Sequence, residues 1–289
     1  MEKIKQRTLK SKNVSVIVCT LNEEKRIKGC LEAIKKNLPG EIILVDGGSK
    51  DNTVKIARPY VDKIVKSKKS NLSRDRQLGI NSASNSLIAM IDADHRLEPD
   101  SLALLLNDLN KYNLDIVQSQ LVSYKNESFW NAAEEQMWQI NLNIPGRKKM
   151  IGTAPAIYKK FVFDYAKFDD HITSLIDDTD FIYRLSKFVD IKFGTGDTKV
   201  KQLHSTSFKS YIKKFIWYGK GDGQFCIKNK NRTGSMLFHL CIRYPVIYSF
   251  KAVIQGKFKV VPYFIIQGLI RFYGLSTEFI RFYYNKKTL

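Results

Sequence analysis

Leu87-Ile-Ala-Met-Ile-Asp92-Ala-Asp94-His-Arg-Leu-Glu-Pro99 is the stretch that decides the fold. An apolar run of strand length, Leu87 to Ile91, stops on two carboxylates spaced one apart. Continuous apolar character, in place of alternation, reads as a strand covered on both faces, the habit of parallel sheets. In open parallel sheets ligands collect outside the carboxyl ends of the strands. Two acids at such an end are costly unless they hold something positive. A divalent cation carrying a phosphorylated substrate satisfies both. Alone, the Asp-x-Asp pattern is weak, because helix-capping acids in a polar loop look the same.

Upstream, the same grammar occurs twice more. Val14-Ser-Val-Ile-Val-Cys19 reads as a buried strand ending on Thr20-Leu-Asn22-Glu23-Glu24. A helix follows, with Ile27, Leu31, Ile34 and Leu38 spaced by three and four, and Pro39-Gly40 stops it. Glu41-Ile-Ile-Leu-Val45 is the next strand and ends on Asp46-Gly47-Gly48-Ser49-Lys50-Asp51-Asn52-Thr53. Its glycines let backbone approach a ligand, and Asp51 or Asn52 suits the cap of the helix that follows. Ile64-Val65 suggests a short third strand, and a helix spans Leu72 to Ala83 with Arg74, Asp75, Arg76 and Gly79. Strand, helix, strand, helix, strand predicts an α/β fold on a parallel sheet with right-handed crossovers. Acids, amides or glycines after three separate strands are a stronger signal than any one motif. No Gly-x-Gly-x-x-Gly follows the first strand and no Gly-x-x-x-x-Gly-Lys-Ser/Thr occurs, which disfavours nicotinamide and P-loop nucleotide domains.

Downstream, Leu102, Leu105, Leu106 and Leu109 make one helix face after Pro99, and Leu114 to Val122 reads as a strand. Trp130, Ala133, Met137 and Trp138 fall on a helix whose aromatics read first as core and second as a sugar or acceptor contact. Gly152-Thr153-Ala-Pro-Ala-Ile-Tyr158 is a small-residue loop entering a strand. In Asp177-Asp178-Thr-Asp180-Phe-Ile-Tyr-Arg184-Leu, the residues Phe181, Ile182, Leu185, Phe188 and Val189 fit one helix face, so the acids fall at its N-terminus. Capping and the helix dipole account for one acid there. A run of three leaves room for a general base. His204, after the strand-like Thr198 to Leu203, is a candidate extra metal ligand beside its commoner structural role.

The chain has 289 residues and a formal charge of +20. From Lys199 to Leu289 there are 17 Lys or Arg and two acids, Asp222 and Glu278. Such a surface favours polyanions: nucleic acid, anionic headgroups or phosphorylated substrates. Phe208, Tyr211, Ile212, Phe215 and Ile216 predict an amphipathic helix that breaks at Gly219-Lys-Gly221-Asp-Gly223. Beyond Arg232, apolar stretches are interrupted by Arg243, Lys251, Lys257, Lys259 and Arg271. No uncharged run reaches the ~18–20 residues of a simple span. Basic, aromatic-rich helices of this kind suit a membrane interface, with a helical cap on the main domain as the alternative. Cys19, Cys30, Cys226 and Cys241 show no zinc spacing and read as free thiols. The start of the chain carries no signal-peptide pattern.

Taken together, these motifs resemble the family 2 glycosyltransferases of GT-A fold, in order from about Val14 to Gly223. Val14 to Glu24 looks like the family's first strand and nucleotide-contacting turn, and Val45 to Thr53 like the second, where the aspartate reads base or ribose. Asp75-Arg76-Gln77-Leu-Gly79-Ile is similar to an Ala-Arg-Asn-x-Gly-Ile motif, with Asp and Gln as departures. Asp92-Ala-Asp94 resembles the DXD motif, and Asp177-Asp178 the Glu-Asp motif with Asp first. Phe215-Ile-Trp217-Tyr218-Gly is only loosely like the signature of processive synthases.

The resemblance implies an inverting, metal-dependent transfer from a nucleotide-diphosphate sugar, with UDP favoured. The donor would contact Thr20, Asn22, Glu23, Asp46, Gly47, Ser49, Arg76 and Asp92. Mn²⁺ or Mg²⁺ would sit on Asp94, with His204 as a further ligand. Asp178 takes the place of the catalytic base, and Gly152, Thr153, Asp177 and Trp138 fall on the acceptor side. The predicted organisation is a GT-A catalytic domain over 12–232, a mostly parallel sheet flanked by helices, and a C-terminal amphipathic region over 233–289. The predicted place is the cytoplasmic face of a membrane, peripheral or monotopic, with a sugar or lipid-linked acceptor and no nucleic-acid partner. Two rival classes are a sugar-phosphate nucleotidyltransferase and a non-enzymatic polyanion binder. The first wants a Gly-rich basic loop after strand one, and the second gives no reason for acids after each strand.

Overall fold

A computed structural model describes residues 11–68, 71–125, 128–172, 176–204 and 207–287, the side chains of 285–287 excepted. In chain order the main elements are β1 (Val14–Thr20), α1 (Ile27–Lys35), β2 (Glu41–Asp46), α2 (Thr53–Ala57), β3 (Lys63–Lys66), α3 (Leu72–Ser82), β4 (Leu87–Met90), β5 (His95–Arg96), α4 (Ser101–Lys111), β6 (Ile116–Ser123), α5 (Phe129–Asn141), β7 (Gly146–Arg147), β8 (Ala156–Lys159), α6 (Val162–Tyr165), α7 (Asp177–Leu185), β9 (Phe193–Gln202), α8 (Phe208–Lys228), α9 (Thr233–Phe238), a π-helical segment (His239–Tyr248), α10 (Ser249–Ile254) and α11 (Val261–Lys287). They fall into two compact units. Among the described residues, one comprises those within 1–124, 142–171 and 177–203, the other those within 125–141, 172–176 and 204–289. The sequence predicts a boundary at 232; the contacts put one at His204 and assign α5 to the helical unit.

The first unit is a mixed sheet in the order β3-β2-β1-β4-β8-β6-β9-β5, with β7 on β9. β3, β2, β1 and β4 run parallel, as predicted from their unbroken apolar runs. β8 reverses direction against both β4 and β6. Alternation within β1 explains the double burial: Val14, Val16 and Val18 join Ile27, Leu31 and Leu105 in one core. Ile17 joins Ile43, Ile80, Met90 and Phe181 in the other. Gly79 lets α3 lie against Ile17 and Val45, where a Cβ would collide with the Ile17 side chain. The α7 helix stops at Leu185, short of the predicted face, and Phe188 and Val189 are exposed.

The second unit is helical. The predicted break at Gly219–Gly223 is absent: α8 runs unbroken through it. A Cβ at Gly219 would strike the Arg271 carbonyl, and one at Gly274 the Ile216 carbonyl. The glycines therefore serve close helix contact, at the four-residue spacing that brings helices together. Beside them Arg271 donates from Nε and Nη2 to both oxygens of the buried Asp222, at 2.9 and 2.7 Å. Lys230–Ile254 forms a 25-residue helical stretch, by length and composition alone long and apolar enough to cross a membrane. Arg243 interrupts that run, so a search for uncharged residues does not find it. The four thiols are free.

Candidate functional site

Thr20 and Asp46 end β1 and β2 as direct partners, so the two following turns start side by side. They are stitched together. Ser49 Oγ accepts from Asn22 N at 3.0 Å, and Asn22 Oδ1 accepts from Lys50 N at 2.8 Å. Thr53 Oγ1 accepts from Glu23 N at 2.7 Å. Asn22 takes a left-handed backbone, φ 56°, which Asn tolerates better than most residues. Asp46 folds its own turn by accepting from Ser49 N at 3.1 Å, with Gly47 N donating to Thr20 O at 2.9 Å. Asn22 and Ser49, read as donor contacts, thus also build the cradle. Asp51, not Asn52, caps the next helix by accepting from Thr53 N.

Arg76 is 6% exposed and ties two other predicted positions together. Its Nη1 donates to Asp177 Oδ2 at the start of α7, and its Nη2 lies 3.6 Å from Asp92 after β4. The guanidinium also lies 5.9 Å from the centre of the Phe168 ring. Asp178 follows Asp177. Its Oδ1 accepts from Thr179 N at 2.6 Å, and a Cβ at Gly152 would come within 3.8 Å of its Oδ2. Gly152 N donates to Gln118 Oε1 at 2.9 Å, which fixes that loop. Burial, then the charge of Asp177, push the Asp178 carboxyl up to about 6, against the pull of Arg76. Burial likewise raises Asp177, with Arg76 opposing. Arg76 thus links Asp92 to Asp177, and the neighbouring Asp178 faces Gly152.

Asp94 completes the strand-end cluster. Its Oδ2 accepts from Gln202 Nε2 at 2.9 Å, and its Oδ1 is buried without a partner. Ligand atoms of Asp92, Asp94 and His95 all lie within 4.8 Å of one another. Burial raises the Glu23 carboxyl, Arg26 lowers it, and Asp94 adds a smaller upward push. Buried polar atoms without protein partners recur here: Thr20 Oγ1, Asp75 Oδ1 and Thr153 Oγ1. Such atoms are rare unless something else satisfies them. An orphaned carboxylate oxygen among hard oxygen donors fits a divalent cation of the Mg²⁺ or Mn²⁺ kind.

His204 and Trp138 belong to the helical unit. His204 Nδ1 stands 3.1 Å from Glu134 Oε2, and the His204 ring packs 4.8 Å from Trp138. Glu134 also accepts from Tyr211 Oη and Lys214 Nζ, both at 2.7 Å. Burial opposes its charge, yet Lys214 and His204 hold its carboxyl below the usual range. Trp138 is 3% exposed, a core residue with no open face for an acceptor. Sequence reasoning missed His95, Gln202, Gln118 and Phe168. Of these only His95, directly after Asp94, carried a local signal.

The family model "Glycosyl transferase family 2" matches residues 15–188, more than half of the chain, and the chain belongs to that family. A cholesterol galactosyltransferase of Borreliella burgdorferi is 34% identical over 118 residues, covering 38% of this chain and 33% of that protein. A dodecaprenyl-phosphate galacturonate synthase of Rhizobium johnstonii is 29% identical over 121 residues, 38% of this chain and 36% of that protein. These matches span about a third of the length of each relative. A crystal structure of S. aureus TarS 1–349 in complex with UDP superposes with a TM-score of 0.51 at 16% identity, covering 92% of this chain and 89% of that one. That likeness shows a shared fold, the GT-A type expected from the sequence.

Proposed function

We propose that this chain is an inverting, metal-dependent glycosyltransferase. It moves a sugar from a nucleoside-diphosphate donor, with UDP the favoured nucleotide, to an acceptor at a membrane surface. One observation carries the reading: a raised carboxyl, Asp178, sits beside the small-residue loop at Gly152 and is linked through Asp177 and Arg76 to the strand-end Asp92. The TarS structure of the same fold carries UDP, which supports the choice of nucleotide.

The donor lies over the stitched turns at Thr20, Asn22, Glu23, Asp46, Gly47 and Ser49. Asp92 and the ion-paired Arg76 close that side. Mn²⁺ or Mg²⁺, held by Asp94, would offset the charge that develops on the departing diphosphate. Asp178 takes the proton from an acceptor hydroxyl held against Gly152 and Thr153. Its raised pKa makes it a stronger base than a free carboxylate while leaving it ionised at neutral pH. The hydroxyl attacks the anomeric carbon from the opposite face, which inverts it. A lipid phosphate acceptor, already an anion, would leave Asp178 to orient it.

The names of two relatives, one acting on cholesterol and one on dodecaprenyl phosphate, support a lipid acceptor. So does the tail. Phe238, Ile242, Val246, Phe250 and Ile254 recur at spacings of four and are all exposed, Phe250 by 67% and Ile254 by 70%. Past the turn at Gly256, Phe258, Ile265, Leu269 and Phe272 are exposed as well. From Gly223 to Thr277 there is no acid and there are eight Lys or Arg. This combination suits the interface of an anionic bilayer, at its cytoplasmic face, bound peripherally or monotopically. The test is product analysis with a panel of UDP-sugars, with and without Mn²⁺. Release of UDP supports the proposal; release of pyrophosphate, or full turnover in chelator, overturns it.

A further inference from the structure

We propose that His95 and Gln202 are positioning residues for the carboxylate of Asp94, and that His95 is not itself a metal ligand. The inference rests on the metal reading above and deepens it. His95 lies with Asp92 and Asp94 in a group that by distance alone could hold an ion. Its hydrogen bonding says otherwise. The Asp92 backbone N–H donates to His95 Nδ1 at 3.0 Å. A peptide N–H is always a donor, so the Nδ1 lone pair is occupied. In the neutral ring the proton then sits on Nε2. An Nε2 that carries a proton has no lone pair for a cation.

That Nε2 stands 3.8 Å from Asp94 Oδ1, the oxygen without a partner. The distance is longer than a hydrogen bond, but it sets an N–H beside one oxygen while the Gln202 amide holds the other at 2.9 Å. The backbone explains why both groups arrive together. The two-residue strand β5 pairs antiparallel with the end of β9, His95 opposite Gln202 and Arg96 opposite Lys201. Leu203 N then donates to Asp94 O at 2.8 Å, and His95 N to Asp92 O at 3.0 Å. The imidazole is 1% exposed, so packing fixes its plane. Asp94 thus presents its carboxylate in one orientation to a divalent cation that travels with the nucleoside diphosphate. Outer groups of this kind typically contribute 10- to 100-fold to metal affinity.

The test is Mn²⁺ binding to the full chain in the presence of UDP, followed by EPR, with pulsed EPR to detect nitrogen bound to the metal. His95→Asn keeps an acceptor for the Asp92 amide but loses the reach of Nε2. His95→Gln restores a donor near the Nε2 position. Gln202→Leu removes the other contact. Expected is a loss of roughly tenfold or more in Mn²⁺ affinity for His95→Asn and for Gln202→Leu, with partial recovery in His95→Gln and the same nitrogen signal in all. Thermal melts and metal-free UDP binding, unchanged, exclude misfolding as the cause. A nitrogen signal that vanishes with His95 makes it a ligand and overturns this proposal alone. Unchanged affinity in both weakened variants also overturns it. A wild-type chain that binds no Mn²⁺ beside UDP overturns the metal reading first.

Discussion

The two units bury charge in opposite ways. In the sheet unit two acids keep one oxygen open: Asp75 Oδ1 and Asp94 Oδ1 are buried without a hydrogen-bond partner. In the helical unit, the buried acids are closed by the chain itself. Asp222 receives two hydrogen bonds from Arg271. Glu134 accepts from Tyr211 and Lys214 and faces His204. A buried charge with all its partners in the chain is architecture, and one lacking a partner calls for water, an ion or a ligand. His204 straddles the distinction, since its Nδ1 is paired and its Nε2 is buried without a partner.

This contrast can be broken most directly at Asp178. Asp178→Asn should lower transfer by roughly 10²- to 10⁴-fold while leaving UDP binding in place, read by single-turnover kinetics beside calorimetry. The same group sets a pH dependence. Its folded pKa is raised to about 6, so the base is present above that value and transfer falls as pH drops through it. Stability runs the other way. A carboxyl raised on folding favours the folded state while protonated, and that contribution is lost as pH rises through about 6. Asp178→Asn should therefore melt no lower than the wild type at pH 8.

In the helical unit the expected effect falls on stability instead. Arg271→Ala strands Asp222 in the interior and should cost about 3–5 kcal/mol, seen in denaturant unfolding. UDP binding by the remaining folded chain should be unchanged at low denaturant. If Arg271→Ala instead removes UDP affinity without loss of stability, the division of labour between the units is wrong. A smaller effect is expected on the outer face. Phe250→Asp with Phe258→Asp should weaken sedimentation with anionic vesicles by roughly 10²-fold or more, each buried aromatic being worth about 1.5–3 kcal/mol when fully inserted. Hydrolysis of UDP-sugar in solution should not change. Equal binding to neutral and anionic vesicles would remove the charge argument.

Much of the sheet unit is legible in the sequence because its signals are local. Apolar runs of strand length name β1, β2 and β4, and the polar residues that end them name the rim. The reversal at β8 is not legible, since a four-residue apolar segment carries no direction. The grip on Asp94 is invisible for a related reason: Gln202 lies 108 residues away and meets it only through the β5–β9 pairing. At Gly219–Gly223 glycine misleads, because in sequence it reads as a hinge. Helix propensity disfavours glycine by about 1 kcal/mol per residue, but a partner helix at close range makes it the residue that fits. Trp138 is equivocal in sequence between core and sugar contact, and His204 against its ring resolves it as core.

The contact between α8 and α11 has a consequence for how this protein can vary. At Gly219, Gly223 and Gly274 the added atom of even an alanine would meet backbone or a packed side-chain stem. Elsewhere along the outward faces of the same helices, large and small residues should be exchangeable. A saturation library sorted for folded chains should thus show near-empty columns at these glycines beside permissive outward-facing positions. In that region tolerance would track the distance between two helix axes, with polarity a secondary influence.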